Sequence, residues 1–249
     1  MENYTDINSK TVDGWVEAGW EWGLPVSHDE CLRAAQGDFS VLLTPTKHVP
    51  REWFPELRGA RILGLASGGA QQMPLFAVQG AVCSVLDFSE KQLESERAAA
   101  AREGYAIETV RADMTLPLPF PDDCFDLIFH PVSNCYIRDV EPVWRECFRV
   151  LKHGGRLLAG LGNGISYAFD DDGKLDCPLP FDPLSDPALY EESLRNDWGI
   201  QFSHGIEEQV GGQLRAGLRL LDIYQDTDGA GPLHDYGVPT FFATCSVKD

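Results

Sequence analysis

The segment RILGLASGGAQQMPLFAVQGAVCSVLDF, residues 61–88, restricts the fold more than any other part of the chain. Ile62, Leu63, Leu65 and Ala66 make a short apolar run, the pattern of a parallel strand buried on both faces. Ser67-Gly68-Gly69-Ala70 follows at once, and adjacent glycines allow a close backbone approach that a side chain would block. Gln71 to Gln79 then has helical spacing through Met73, Leu75, Phe76 and Val78, with Pro74 acceptable only in a first turn. Gly80 stops that helix, and Ala81 to Leu86 is a second strand ending at Asp87. A glycine turn followed about 20 residues later by a strand-end carboxylate suits a nucleoside, because the carboxylate accepts from the ribose hydroxyls. The same residues would also serve a plain βαβ unit with a surface aspartate. The dinucleotide pattern G-x-G-x-x-G is absent, with Ala70 where a further glycine would stand.

The strand–helix alternation continues. Ser89, with Gln92 three residues on, is a capping-box pattern that opens a helix running to about Arg102, with Gly104 as its stop. Ile107 to Arg111 reads as a third strand. Asp113 then repeats the strand-end position of Asp87, where a carboxylate can accept from an exocyclic adenine amine or simply cap a turn. Phe125 to Phe129 is a fourth strand, delivering His130-Pro131 and, beyond them, Tyr136. Val140 to Leu151 carries Val143, Trp144, Cys147 and Phe148 on one helical face, and Arg156 to Gly160 is a fifth strand. A further helix opens at Gly205. Leu218 to Tyr224 and Thr240 to Val247 are the last strands, and a short turn-rich link makes them antiparallel, since a parallel return needs a crossover.

Two stretches lie outside this alternation. Residues 1–54 place Trp15, Trp20 and Trp22 close together, either as a helical arm packed on the core or as a lid whose rings meet a ligand. The other, residues 164–205, is expected to close over the site with that arm through aromatics such as Phe169 and Phe181; its part from Phe169 to Pro187 is rich in Asp and Pro and reads as a surface loop or mobile cap, Gly173 is not placed for a calcium loop, and no metal site is expected.

A net charge of -19 argues against nucleic acid or an anionic membrane as the partner. Seven widely spaced cysteines without C-x-x-C disfavour a disulfide framework or zinc knuckle. No apolar signal core opens the chain, so the expected compartment is the cytoplasm.

The alternation, with its terminal hairpin, resembles the class I S-adenosylmethionine-dependent methyltransferases. RECFRVLKHGGRLLAG, residues 145–160, is similar to that family's helix, loop and fifth strand; FDLIFHPVSN to its fourth strand and following loop; LASGGAQQ to a variant of its glycine motif. The chain departs from the pattern at Gly64, where the family usually has an acid, and at Ala66 and Ala70, where it usually has glycine. The resemblance implies an α/β, Rossmann-like three-layer sandwich around a mostly parallel seven-stranded sheet, order 3-2-1-4-5-7-6 with the last strand antiparallel. One domain, 1–249, is then expected: an N-terminal arm or lid (1–54), a cofactor core (55–163), a cap insertion (164–205), and a C-terminal helix and hairpin (206–249).

By the same resemblance the cofactor is S-adenosylmethionine and the product S-adenosylhomocysteine. Ala66, Ser67, Gly68 and Gly69 would pass under its methionyl part, with Gln71, Gln72 or the N-terminal arm substituting for the missing acid. Asp87 would hold the ribose, with Ser89 beside it; Phe88 and Met114 would flank adenine and Asp113 would meet its amine. His130 and Pro131 would border the sulfonium and a small-molecule acceptor. His130, Tyr136, Tyr167 and His204 are the side chains of the right type for a general base, with His130 first and Tyr136 next. A nicotinamide-dependent oxidoreductase and a non-catalytic cofactor-binding protein are the alternatives.

Overall fold

A computed structural model describes residues 3–249. The apolar runs become strands β1 (Arg61–Leu65), β2 (Val82–Asp87), β3 (Ile107–Arg111), β4 (Phe125–His130), β5 (Leu151–Gly162), β6 (Leu218–Asp226) and β7 (Phe241–Lys248). They form one sheet of order β3-β2-β1-β4-β5-β7-β6. β1 to β5 pair in parallel, and β7 inserts antiparallel between β5 and β6. The expected architecture and strand order are therefore observed.

Alternation along the strands supplies a core on each face. Ile62, Leu127, Phe129, Leu158, Ala243 and Cys245 face α2 (His28–Ala34), α3 (Met73–Ala77) and the chain around Trp53. Leu63, Leu65, Ile128, Leu157 and Phe242 face α5 (Glu141–Val150). The helix α4 (Glu90–Glu103) packs against β2 and β3. The remaining helices are α1 (Tyr4–Glu17), α6 (Pro187–Arg195), α7 (Gly212–Arg215) and α8 (Gly231–Asp235). Among the described residues no helix is long and apolar enough to cross a membrane.

Three local expectations are corrected. The helix expected over Gln71–Gln79 is only Met73–Ala77, because the turn continues to Gln72 and Pro74 must fall near the N-terminus. β5 starts at Leu151 rather than Arg156: Lys152 to Gly155 extend the strand, which meets β4 through a register shift between Phe125 and Leu127. The helix opening at Gly205 passes through a π turn, Glu207–Gly211, before α7.

β1 pairs with β2 on one side and β4 on the other, so the chain reverses its order there. The carboxyl ends of β1, β2, β3 and β4 open into the crevice this reversal creates, where ligands of open α/β sheets bind.

Candidate functional site

The floor of the site is the turn between β1 and α3. Ala66 and Ala70 both adopt left-handed backbone, φ 46° and 58°, at the two positions where the family usually has glycine. An L-residue in that region costs about 1–2 kcal/mol, so the surrounding contacts must hold the turn in place. They do: Ala66 N donates to Leu86 O (2.8 Å), Gly69 N to Gln92 O (3.1 Å) and Ala70 N to Glu96 Oε1 (2.7 Å). A Cβ on Gly68 would lie 2.5 Å from Gln92 Cβ and 2.9 Å from Asp87 Oδ2, so this residue is glycine by necessity. At Gly64 a Cβ would press on Met73, whose side chain fills the space beside the first strand.

The two strand-end carboxylates stand on one wall. Asp87 accepts from Gly68 N through Oδ2 (3.0 Å) and from Ser89 N through Oδ1 (2.9 Å). Burial pushes its carboxyl above the usual carboxylate range, opposed by the amides of Ser89, Gly68 and Phe88. Each oxygen has a second lone pair, so capacity for two hydroxyls persists. Asp113 holds Thr115 N (2.9 Å) and Thr115 Oγ1 (2.8 Å), both through Oδ1.

α1 lies over the crevice as a roof. Its lining residues Thr5, Asn8, Ser9 and Val12 fall at i, i+3, i+4 and i+7, one helical face. Hydrogen bonds fasten it. Ser9 Oγ donates to Phe88 O (2.7 Å), and Asp13 Oδ1 accepts from Ser89 Oγ (2.5 Å) and Lys91 N (3.1 Å), adding an acid to the N-terminus of α4. Asn8 Nδ2 donates to Tyr136 O and Ile200 O, each 2.9 Å, while its Oδ1 accepts from Ile200 N (2.6 Å).

Together these elements enclose a cavity of about 280 Å3. Ala66, Ser67, Gly68, Gln71, Gln72, Asp87, Phe88, Ser89, Asp113, Met114, Pro131 and Tyr136 all reach its wall. Gly69 does not; it packs between Gln92 and the Trp22 carbonyl. Ser89 reaches the wall, but its hydroxyl is committed to Asp13 and to capping Gln92 N (3.1 Å).

His130, expected at the reacting centre, lies off the wall and fully buried. Its Nδ1 is 2.8 Å from Leu65 O, its Nε2 is 2.9 Å from Asn134 Oδ1, and its ring meets Trp144 edge-on. Burial lowers its pKa against both hydrogen bonds. Strand alternation is the reason: Ile128 faces α5, so His130, two residues on, does too. His204 is also buried, its Nε2 near the carbonyls of Asn134 and Ile137, and Tyr167 donates to Gln201 Oε1. Of the four base candidates only Tyr136 touches the cavity, and burial pushes its phenol well above its ordinary pKa. It therefore stays protonated at neutral pH.

The lid expectation divides. Trp20 and Trp22 reach the cavity, but Trp15 instead donates to Asp197 O (3.1 Å) and packs on Trp20 and Tyr136. No residue of 164–205 lines the cavity. Phe181 stacks on Tyr167 at 4.7 Å, and Phe202 meets Tyr4, so this segment braces α1 from behind. Sequence reasoning missed the polar stripe of α1, the wall formed by Leu42 to Pro45, and Phe241 at the start of β7. The spacing of Thr5, Asn8, Ser9 and Val12 was the available signal for the first.

The donor set fits S-adenosylmethionine. Two carboxylates at adjacent strand ends match a ribose diol and an amine, whereas a pyrophosphate calls for cations or a fan of free amides. Here no Lys, Arg or His among the described residues lines the cavity, and the turn's amides at Ala66, Gly68, Gly69 and Ala70 are already donated.

Comparison with known proteins agrees. A family model described as a methyltransferase domain matches residues 63–159. The uncharacterized methyltransferase YbaJ of Bacillus subtilis (strain 168) is 39% identical over 249 residues, covering 97% of each chain. The demethylmenaquinone methyltransferase of Clavibacter sepedonicus is 38% identical over 100 residues, 40% of each chain. Among solved structures, an S-adenosylmethionine-dependent methyltransferase of Mesorhizobium loti superposes with a TM-score of 0.63 at 21% identity, covering 79% of this chain and 94% of that one, a likeness of fold. On the full-length relationship, the glycine turn and the sheet order, this chain belongs to the class I S-adenosylmethionine-dependent methyltransferases.

Proposed function

We propose that the enzyme methylates a small-molecule acceptor enclosed beneath α1, with Asp87 on the cofactor ribose and Asp113 on the adenine amine. Phe88 and Met114 flank the adenine, Ala66 to Gly68 run under the methionyl part, and Gln71 and Gln72 serve its polar end. The observation that carries this reading is that the glycine turn, both carboxylates and the roof share one cavity. S-adenosylmethionine supplies an electrophilic methyl group on a sulfonium. The chain orients the reactants and excludes water, and both can lower a displacement barrier without acid or base chemistry.

A cavity roofed by a helix favours a small acceptor over a polymer, and the net charge of -19 disfavours nucleic acid. The Clavibacter relative is a demethylmenaquinone methyltransferase, and demethylmenaquinone is itself a small molecule. Seven free cysteines suit a reducing compartment such as the cytoplasm.

Calorimetric titration with S-adenosylhomocysteine, NAD and NADP tests the site. Only the first should bind. Asp87→Ala removes two charge-assisted hydrogen bonds worth about 1.5–3 kcal/mol each, so affinity should drop by about tenfold or more with the fold intact. Unchanged affinity in that variant would remove Asp87 from the site.

A further inference from the structure

Residues 131–137 follow β4 as one wall of the cavity, and all of them except Asn134 line it. Asn134 turns inward instead and is buried. Its side chain anchors the loop, with Oδ1 2.9 Å from His130 Nε2 and Nδ2 2.9 Å from Gln209 Oε1. From the other side, Phe202 N donates to Cys135 O (2.7 Å), and His204 Nε2 lies 3.1 Å from Asn134 O. Gln209 belongs to the π turn Glu207–Gly211. That turn is fastened to Trp144, whose Nε1 donates to Glu208 O (3.1 Å) and whose ring meets His130 edge-on. A Cβ on Gly212 would lie 2.5 Å from Trp144 Cδ1, so the chain leaving the turn is pressed on the same indole. Single π turns inside helices are frequent at functional sites.

Both ring nitrogens of His130 face oxygens: Leu65 O lies 2.8 Å from Nδ1 and Asn134 Oδ1 2.9 Å from Nε2. A neutral imidazole donates only once, and burial favours the neutral ring. The Leu65 carbonyl is fixed by the strand, whereas an amide can exchange its O and N with little change of shape. Gln209 Nε2 has no partner among the described residues, so turning both amides loses no bond. The hydrogen bonds then run one way. Gln209 Nε2 donates to Asn134 Oδ1, Asn134 Nδ2 to His130 Nε2, and His130 Nδ1 to Leu65 O. Leu65 immediately precedes Ala66, where the left-handed backbone of the floor begins. One ring therefore ties floor to wall.

We propose that His130 is a positioning residue for methyl transfer: as the neutral Nδ1–H tautomer it clamps the end of β1 to the 131–137 wall, and the π turn orients it through Gln209 and Asn134. This rests on the methyltransferase reading of the cavity, in which the cofactor lies along the floor. His130 touches neither reactant. It fixes the spacing of the surfaces between which the methyl group moves, and a misplacement of about 1 Å can cost about a hundredfold in such a step.

Two buried glutamines of neighbouring turns make the test. Gln209 is in the chain of hydrogen bonds; Gln213 of α7 is equally buried but bonds Thr244 and Ser246 of β7 instead. Long-range proton–nitrogen NMR of the histidine rings should show His130 protonated at Nδ1 alone at neutral pH. In Gln209→Leu its Nε2 resonance should move downfield, as that of a nitrogen whose hydrogen bond weakens, and exchange of the 131–137 amides should quicken. Calorimetry well below the melting temperature should find S-adenosylhomocysteine bound about threefold or more weakly by Gln209→Leu, because fewer molecules hold the wall in place, but within about twofold of wild type by Gln213→Leu. A wild-type ring protonated at Nε2, unchanged affinity in Gln209→Leu, or an equal loss in Gln213→Leu would each overturn the proposal. Failure of the wild-type protein to bind S-adenosylhomocysteine would strike the cofactor reading instead, and the tautomer and the exchange rates would still decide the clamp.

Discussion

Asn8→Ala probes how the roof is held. The Asn8 side chain is buried and spends its whole amide on two backbone segments, donating to Tyr136 O and Ile200 O and accepting from Ile200 N. Alanine keeps the helix but strands one buried N–H and two carbonyls. An orphaned buried group costs about 1–3 kcal/mol, and carbonyls that find water cost less, so the loss should be about 3 kcal/mol in all. For a chain of this size that corresponds to a Tm lower by about 6–12 °C. Urea denaturation should show a reduced midpoint at an unchanged slope, the mark of lost stability rather than an altered unfolded state. S-adenosylhomocysteine should also bind more weakly, because fewer molecules present the closed site. Asn8→Asp, which retains the acceptor for Ile200 N but turns a carboxylate toward two carbonyl oxygens, should fare no better. A loss below about 1 kcal/mol for Asn8→Ala would refute the fastening role, since it would mean that water replaces all three bonds.

Other tests follow from the same geometry. Gly68→Ala should fold yet lose cofactor affinity, because its Cβ would sit 2.5 Å from Gln92 Cβ and displace Asp87; calorimetry that finds wild-type affinity refutes the close approach. Glu96 is fully buried, with Oε2 unpartnered, and burial raises its carboxyl to about 8 against the Ala70 N–H bond. The folded state therefore keeps a proton that the unfolded chain gives up near its ordinary value. That contribution is fully present at acid pH, declines between about pH 4.5 and 8 by up to about 1.4 kcal/mol per unit, and is gone above the folded pKa. Glu96→Gln removes this slope, so its stability relative to wild type should grow from pH 5 to pH 8; a constant difference in urea melts rules it out. Hydrogen exchange with S-adenosylhomocysteine should protect residues 4–17 and 66–70, and 200 through Asn8, but not 164–186; protection of the latter would restore them as a lid.

The sheet and the floor of the site were legible because they depend on local signals. Apolar runs such as Ile62 to Leu65, the paired Gly68 and Gly69, and the acids Asp87 and Asp113 at or just past the ends of β2 and β3 are each written in a few consecutive residues. His130 was misjudged although strand alternation carried the answer: its distance from Ile128 puts it on the α5 side. The roof was harder. Of its cavity-facing residues Thr5, Asn8, Ser9 and Val12, three are polar, so the stripe shows in their i, i+3, i+4, i+7 spacing and not in hydrophobic periodicity. Leu42 to Pro45 and Phe241 reach the cavity from opposite ends of the chain, a meeting decided only by the packing of β7 beside β5. The aromatics of 164–205 drew attention away, yet Tyr167 and Phe181 satisfy each other.

The polar seam under α1 sets how the site responds to temperature. The fully buried residues of this helix are Thr5, Asn8 and Ser9, so lifting it wets hydroxyls and an amide along with the half-buried Tyr4, Val12 and Trp15. Exposure of apolar area raises heat capacity by about 0.45 cal/K/mol per Å2, whereas polar area lowers it by about 0.26. Opening the roof thus carries a smaller heat-capacity change than opening a purely apolar lid of the same area would. A lid sealed by hydrocarbon would loosen on cooling as its driving force faded. This one keeps more of its closure in the cold, because polar contacts carry part of it.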